Sequence, residues 1–163
     1  MSIELVEVKL EEKSILENML HFYLDDLSKY TNQLKTNDQG IFEYDSLTYF
    51  FTKSNLVPYF IKFDEMVVGF LLFVKTEKSE TIDYIVNDIF IFTQYRERGF
   101  AGQAVKKLIS AYPGTYYVVQ LEKNQNAIQF WKSLFKEMQL EYSENMVIES
   151  GEKCLAQTFK VPQ

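Results

Sequence analysis

The chain has 163 residues, of which 47% are hydrophobic and 16% aromatic, and its formal net charge is −6. This composition suits one folded domain with a sizeable core, excludes a disordered chain, and argues against a nucleic-acid-binding protein, which usually carries a basic patch. One cysteine, Cys154, and one histidine, His21, exclude an internal disulfide framework and argue against a metal site or a catalytic triad built on these residue types.

The first third of the chain predicts a strand, a helix and an irregular segment. Residues 3–9 alternate between apolar and polar side chains, as a strand does. Residues 11–29 carry apolar side chains at spacings of three and four, which predicts a helix with one apolar stripe. Residues 31–46 are polar and predict a loop, and residues 47–53 form either a short helix or part of that loop.

Three further strands are predicted in the middle of the chain. Residues 57–75 contain two apolar runs separated by Asp64-Glu65, which predicts an antiparallel hairpin. Residues 76–80 form a turn. Residues 81–92 are apolar on both faces, so this long strand should be central and covered on both sides.

The last part of the chain alternates helices with strands. An amphipathic helix follows Gly99 and ends before Pro113-Gly114. The remaining predicted elements are a strand at 115–122, a second amphipathic helix at 124–138, and strands at 141–149 and 153–160 joined by Ser150-Gly151-Glu152. This order predicts a mixed α/β protein with one central sheet.

A strand-to-helix junction at residues 96–102 concentrates two arginines, Arg96 and Arg98, and two glycines, Gly99 and Gly102. A helix N-terminus leaves about four amides unpaired and carries partial positive charge, which a phosphate can satisfy. Glycine lets the backbone approach such a ligand closely. The junction is therefore either an ordinary turn with exposed arginines or a pyrophosphate site.

Two motifs in order favour the second interpretation. Arg96-x-x-Gly99-x-Ala101 precedes a helix, and Asn124-x-x-Ala127-Ile128-x-Phe130-Trp131 begins the next one. Together they resemble the GCN5-related N-acetyltransferase (GNAT) superfamily, whose phosphate loop reads Gln/Arg-x-x-Gly-x-Gly/Ala and whose later segment reads Asn-x-x-Ala-x-x-Phe-Tyr. The element order from residue 3 to 160 also matches that fold. The resemblance implies a single GNAT-like α/β (α+β) domain over residues 1–163, with a central, mostly antiparallel mixed sheet flanked by helices.

The resemblance also implies acetyl-CoA (coenzyme A) as cosubstrate, without a metal, in a cleft where the central strand splays from the next. Backbone groups of the central strand would pair with the pantetheine arm, and amides of the junction would hold the pyrophosphate. Asn124 is also a good helix N-cap, and both roles are compatible. The residues implied in cofactor binding are Ile89, Phe90, Ile91, Arg96, Arg98, Gly99, Phe100, Ala101, Gly102, Gln103, Asn124, Phe130 and Trp131.

Two polar residues, Asn87 and Asp88, interrupt the apolar central strand and are the catalytic candidates. Neighbours on a strand are expected to point to opposite faces. In the polyamine acetyltransferases, which this stretch resembles, an acidic residue at the position of Asn87 is the usual base. An amide cannot take a proton, so either Asp88 serves, directly or through water, or the amine loses its proton to solvent. The alternative for Asp88 is a structural hydrogen bond to a neighbouring loop or helix.

The second departure from the family pattern is Trp131, because many members have a tyrosine there that protonates the departing thiolate. An indole N–H donates a hydrogen bond but is not a practical proton donor. Trp131 also lies on the apolar stripe of its helix, which favours a packing role. Another tyrosine or water then protonates the thiolate, or the chain binds acyl-CoA without efficient turnover.

The acceptor site should be built by the first helix, the 31–55 region and the final strands. Aromatic and acidic groups there would suit a cationic amine, although loops are usually polar and aromatics usually lie in cores. The residues proposed to line it are Tyr30, Glu43, Tyr44, Asp45, Tyr49 and Phe50. His21 and Cys154 are expected to pack rather than to catalyse.

The expected activity is acetyl transfer to a primary amine of a small molecule or protein, by direct attack in a ternary complex. The alternatives are a non-catalytic acyl-CoA-binding or regulatory module and, less favoured because no known nucleotide loop is present, a nucleotide-binding protein. No apolar run is long enough to cross a bilayer, and the N-terminus does not resemble a signal peptide. We therefore expect a cytoplasmic protein without nucleic-acid or membrane partners, with a homodimer as an open alternative to a monomer.

Overall fold

Seven strands and four α-helices form from residues 2–163, the part of the chain that the computed structural model describes; Met1 lies outside it. A 3-10 helix, Leu10–Glu12, precedes the first α-helix, and another, Thr93–Tyr95, follows the fourth strand. The elements are β1 (Ile3–Glu7), α1 (Lys13–Leu27), α2 (Tyr49–Thr52), β2 (Leu56–Phe63), β3 (Met66–Lys75), β4 (Tyr84–Ile91), α3 (Phe100–Ala111), β5 (Gly114–Leu121), α4 (Gln125–Met138), β6 (Tyr142–Glu149) and β7 (Glu152–Val161). The predicted order is confirmed, and the uncertain 47–53 segment contains a one-turn helix.

All the strands lie in one sheet with the order β1-β2-β3-β4-β5-β7-β6. Neighbouring strands are antiparallel except β4 and β5, which are parallel. The β2–β3 hairpin turns at Asp64 and Glu65, whose φ angles of +48° and +68° suit a tight turn that matches the strand twist. The predicted mixed, mostly antiparallel sheet is confirmed.

Two hydrophobic cores form, one on each face of the sheet. The core on one face joins the sheet to α3 and α4, and the core on the other joins it to α1 and α2. Val86 and Ile91 of β4 enter the first core and Phe90 enters the second, as predicted for a central strand covered on both sides. None of the helices within residues 2–163 is both long and apolar enough to cross a membrane.

The parallel pairing between β4 and β5 ends almost as soon as it begins. Only Tyr84 with Tyr116 and Ile85 with Tyr117 are paired. Beyond them β5 continues to pair with β7, while β4 continues to pair with β3. We call the resulting gap, between residues 86–91 of β4 and 118–121 of β5, the splay, and the Ile85–Tyr117 pair its vertex.

A β-bulge lies in β4 next to the vertex. Leu72 of β3 opposes Asp88, and the next residue, Phe73, opposes Val86, so Asn87 is an extra residue without a partner on β3. The prediction that Asn87 and Asp88 point to opposite faces is wrong. The side-chain amide of Asn87 donates to the carboxylate of Asp88 at 2.8 Å, because a bulge breaks the alternation of side chains.

Gly69 of β3 lies opposite Ile91 of β4, and substituting it should test how closely these two strands approach. A Cβ at Gly69 would lie 2.0 Å from the carbonyl oxygen of Phe90, whereas one at Gly102 would have no neighbouring atom within 4 Å. We expect Gly69→Ala to lower the free energy of unfolding by about 1–3 kcal/mol or more in a denaturant titration. Gly102→Ala is the matched control and should cause no such loss; equal stability of the two variants would contradict the register.

Candidate active site

The N-terminus of α3 presents a row of free amides. Gly99 is its N-cap residue with φ +76°, a left-handed conformation that glycine adopts without strain. The first helical hydrogen bond runs from the Gln103 amide to the Gly99 carbonyl at 3.0 Å. Among residues 2–163, no acceptor is found for the amides of residues 98–102. These amides can therefore bind an anion, as the sequence predicted.

The two arginines of the junction differ in their surroundings. Arg96 folds back, so that its Nε donates to the carbonyl of Ile91 at 2.8 Å and its guanidinium lies 2.5 Å from a carboxylate oxygen of Asp26. It also lies over the ring of Phe90, 5.5 Å from the centroid. Arg96 therefore fixes the junction to α1 and to the end of β4. Arg98 is exposed and forms no ion pair with any residue of the described chain.

The edge of β4 that faces the splay is open over the stretch predicted to hold the pantetheine arm. Phe92 donates its amide to β3 at 2.9 Å, and backbone groups along a strand alternate in direction. Ile89 and Ile91 therefore face the open edge, while the backbone of Phe90 faces β3. Because its backbone faces β3, Phe90 is not placed to pair with a ligand at the open edge. Its side chain lies in the core.

The start of α4 is held by its predicted cap. The side-chain oxygen of Asn124 accepts from the amide of Ala127 at 3.2 Å. Trp131 is 4% exposed and packs against Phe130, Phe135 and Phe159. Its indole is thus a core side chain, as its place on the apolar stripe predicted.

A hydrogen-bonded carboxylate lies at the β4 bulge. Asp88 accepts from the hydroxyls of Tyr23 on α1 and Tyr44 in the following loop, both at 2.6 Å, and from Asn87. Asn87 also donates to the Tyr44 hydroxyl at 2.9 Å. Burial raises the pKa of Asp88 above its usual range, and the hydrogen bonds from Tyr23, Tyr44 and Asn87 oppose that rise. Asp88 thus makes hydrogen bonds to a neighbouring helix and loop, which is the structural role given above as the alternative to a catalytic one.

A cavity of about 480 Å³ adjoins the vertex on the α1 side of the sheet; we call it the splay cavity. Its walls come from the end of α1, the segment after it, β4, β5 and the β6–β7 hairpin. Three carboxylates line it, Asp88, Glu149 and Glu152, and among the described residues no lysine or arginine does. The hydroxyl of Thr31 donates to Glu152 at 2.5 Å. The cavity therefore favours a cation.

The 31–55 region and the final strands were expected to build the acceptor site, but Thr31, Glu149 and Glu152 were not singled out from the sequence. The acidic turn "IESGEK" was visible, but nothing local shows that this hairpin folds back towards β4. Cys154 lines the same cavity but is buried, and its thiol points to the carbonyl of Glu152 at 3.6 Å.

The acceptor residues predicted from the 43–50 segment do not line the splay cavity. Glu43, Tyr44 and Asp45 line a separate cavity of about 760 Å³ between α1 and the loop. Tyr49 is exposed and Phe50 is buried in the core. Tyr30 also lies outside the splay cavity.

His21 accepts a hydrogen bond from the backbone amide of Phe42 at 3.0 Å, and this bond anchors the loop between α1 and α2. A further cavity of about 800 Å³, around Asp83 and Gly114, is not lined by residues 86–91 of β4.

The open edge of β4 leads towards the free amides at the N-terminus of α3, so one stretch of the chain presents both groups. The model of the acetyltransferase (GNAT) family matches residues 16–135. The chain therefore belongs to the GNAT family of acetyltransferases, as its motifs indicated.

Known structures share this fold along the whole chain. An acetyltransferase from Thermus thermophilus is 13% identical with a TM-score of 0.72, covering 99% of this chain and 98% of that one. The histone acetyltransferase HPA2 and related acetyltransferase from Corynebacterium glutamicum is 10% identical with a TM-score of 0.72, covering 100% and 98%. Diaminobutyrate acetyltransferase EctA from Paenibacillus lautus, in complex with L-2,4-diaminobutyric acid and coenzyme A, is 9% identical with a TM-score of 0.68, covering 98% and 95%. Comparison with curated proteins finds no match.

Replacing Tyr44 with phenylalanine should test the Asp88 network. The change removes the hydroxyl that donates to Asp88 and accepts from Asn87. We expect the free energy of unfolding to fall by about 1.5–3 kcal/mol at pH 7, because a hydrogen bond to a charged group is lost. Tyr142→Phe, on an exposed side chain of β6, is the control and should have little effect.

The same variant should show a defined pH dependence. Because the Asp88 pKa is raised on folding, the folded protein keeps this proton to a higher pH, and stability falls as pH rises from the unfolded to the folded pKa. Losing Tyr44 raises the folded pKa further. The deficit of Tyr44→Phe should therefore be smaller below the ordinary pKa of 3.8 than at pH 7. Denaturant titrations giving one deficit at both pH values would contradict a charged Asp88.

Proposed function

We propose that this protein is an acetyl-CoA-dependent N-acetyltransferase that transfers an acetyl group to a primary amine in a ternary complex. The observation that carries the proposal is the alignment of two kinds of unpaired backbone. The open edge of β4 ends beside the free amides of residues 98–102. Membership of the GNAT family, whose enzymes use acetyl-CoA, supports the same ligand.

The residues present fit coenzyme A. Its pyrophosphate would accept from the amides of residues 98–102 at the positive end of the α3 dipole, with Arg98 free to add charge. Its pantetheine arm would pair with Ile89 and Ile91 like an added strand. The carbonyl of Ile91 already accepts from Arg96, so the Ile91 amide and both groups of Ile89 are the free ones. Gln103 is exposed beside Gly99 and can add a side-chain contact.

Acetyl-CoA supplies the thioester carbonyl that the amine attacks, and the bulge supplies groups for the amine. Asn87 donates from its nitrogen to both Tyr44 and Asp88, which leaves its carbonyl oxygen free. We assign Asn87 to orient the amine by accepting its N–H. Asp88 is the candidate base, because its raised pKa lies closer to the range in which a carboxylate takes a proton at neutral pH.

The acceptor we propose is an aliphatic amine with positive charge. Asp88, Glu149 and Glu152 supply three carboxylates around the splay cavity. Such a cavity concentrates cations and disfavours anionic acceptors. A small molecule and an exposed lysine or N-terminal amine of a protein both carry this group.

The second candidate is a non-catalytic acyl-CoA-binding module on the same fold. Its motive is Trp131, a core indole in place of the usual proton donor, although membership of an acetyltransferase family does not favour it. That candidate requires coenzyme A binding without acetyl transfer to any member of a broad panel of amines. Transfer to one amine at a rate above the uncatalysed reaction excludes it.

The pyrophosphate assignment is tested at Gly99. Gly99→Asp should place a negative charge at the free amides and weaken coenzyme A binding by at least about tenfold in calorimetry, since charges near such a helix end contribute up to about 2 kcal/mol. The nearest atom to an added Cβ is 3.9 Å away, and aspartate tolerates the left-handed conformation, so the fold should persist. Gly99→Asn is the matched uncharged control. Equal affinities of the aspartate and asparagine variants would contradict the assignment.

The acceptor class is tested at the cavity carboxylates. Glu149→Gln and Glu152→Gln should each raise the KM for a linear aliphatic diamine by about fivefold, with kcat retained, because each removes about 1 kcal/mol of charge attraction. Glu77→Gln, on the exposed turn after β3, changes net charge equally and should leave KM unchanged. The same KM in all three variants would rule out this cavity as a cation site.

A further inference from the structure

The usual proton donor for the departing sulfur is missing from its place in this chain. Trp131 occupies the position of the family's tyrosine, but it is 4% exposed and packed among Phe130, Phe135 and Phe159. An indole also lacks a proton that it can release near neutral pH. Another group must therefore donate the proton.

Other tyrosines near the bulge are already engaged. The hydroxyls of Tyr23 and Tyr44 both donate to Asp88. The hydroxyl of Tyr116 donates to the carbonyl of Tyr112 at 2.7 Å. These bonds use the proton of each hydroxyl, so none of the three is free to donate to a ligand in the splay.

Tyr117 differs from them in both position and freedom. It pairs with Ile85 at the vertex, and within residues 2–163 it is the one tyrosine that lines the splay cavity. Its hydroxyl makes no hydrogen bond to any described residue. Asn87 and Asp88 line the same cavity from β4.

We call the path from the free amides of residues 98–102 along the open edge of β4 the cofactor track. Its direction brings the reacting thioester of the proposed cofactor towards Tyr117. The phosphate end of the track lies at α3, beyond Ile91, and the open edge of β4 leads from there back to the vertex. From Ile91 to the bulge at Asn87 is about 13 Å at the usual rise of about 3.3 Å per residue. An arm that follows this edge therefore carries its reactive end to the bulge, next to Tyr117.

We propose that Tyr117 is the proton donor to the departing sulfur, an inference that rests on the N-acetyltransferase function proposed above. Asp88, the proposed base, first takes one proton from the cationic amine and later passes it to solvent. As the neutral amine nitrogen then forms the new C–N bond and the C–S bond breaks, the Tyr117 hydroxyl gives its proton to the sulfur and leaves coenzyme A as the thiol. The new amide nitrogen then releases one proton, and solvent carries it back to the phenolate. The products are the N-acetyl amine and the thiol, with Tyr117 restored.

The surroundings of Tyr117 keep the proton on the hydroxyl until it is needed. Burial and the nearby Glu149, with Cys154, raise the pKa of Tyr117 above its usual range. The other titratable groups that line the cavity are the carboxyls of Asp88 and Glu152. Each carboxylate adds negative charge, so each favours the neutral phenol over the phenolate.

Tyr117→Phe tests the proposal, with Tyr116→Phe as the matched control. The two residues are neighbours on β5 but face opposite sides of the sheet, and Tyr116 lies in the core. We expect Tyr117→Phe to lower kcat by about 100-fold, the scale of general acid catalysis, with the KM values for acetyl-CoA and amine unchanged. Thermal stability should be retained, because the lost hydroxyl has no protein partner. Tyr116→Phe should keep its kcat.

A second readout needs no turnover. The carboxylates of the cavity disfavour a thiolate, and a hydroxyl aimed at the sulfur offsets part of that penalty. As the thiol ionises between pH 6 and 9, the affinity for coenzyme A, measured by calorimetry, should therefore fall more steeply with pH in Tyr117→Phe than in the wild-type protein. Unchanged kcat and an unchanged pH dependence would overturn the assignment, and so would a loss of kcat accompanied by equal losses of ligand affinity. Failure of the wild-type protein to bind coenzyme A at all would instead overturn the proposed function.

Discussion

The early end of the β4–β5 pairing is the constraint on which the rest of the site depends. After Ile85 and Tyr117, each strand keeps only one neighbour, and one edge of β4 is left with free backbone groups. Unpaired backbone in a protein interior is costly unless something satisfies it. The helix N-terminus at Gly99 adds free amides at the far end of the same edge. The coenzyme A proposed here, an extended ligand with a phosphate end, would satisfy both.

The buried carboxylate of Asp88 organises the other side of the sheet. It holds α1 through Tyr23 and the loop through Tyr44, so this side of the sheet is assembled around one carboxyl group. The bulge places Asn87 on the same side and turns its amide into part of this network. The structural role of Asp88 is compatible with the base role proposed for it, because burial raises its pKa while the contacts that keep it in place oppose that rise.

Much of the fold could be predicted because its signals are local. Helical stripes, the Asp64-Glu65 turn and the glycine at the start of α3 each depend on a few neighbouring residues. The bulge at Asn87 could not be predicted, since it is defined by register with β3. The final strands were expected at the acceptor site, but Glu149 and Glu152 could not be singled out for the same reason: their position depends on where a distant hairpin folds. Arg96 was expected to bind phosphate from its position in the motif, yet its guanidinium is held by Asp26, a partner 70 residues away.

The most direct test of the account is a titration of coenzyme A into the 15N-labelled protein, followed by the chemical shifts of assigned backbone amides. The account predicts that the largest changes occur at residues 98–102 and at Ile89 and Ile91, because these amides would gain hydrogen bonds to the ligand. The amide of Phe90, which faces β3, should change less than those of its two neighbours. Changes centred on the loop at residues 37–48, with residues 98–102 unaffected, would contradict it.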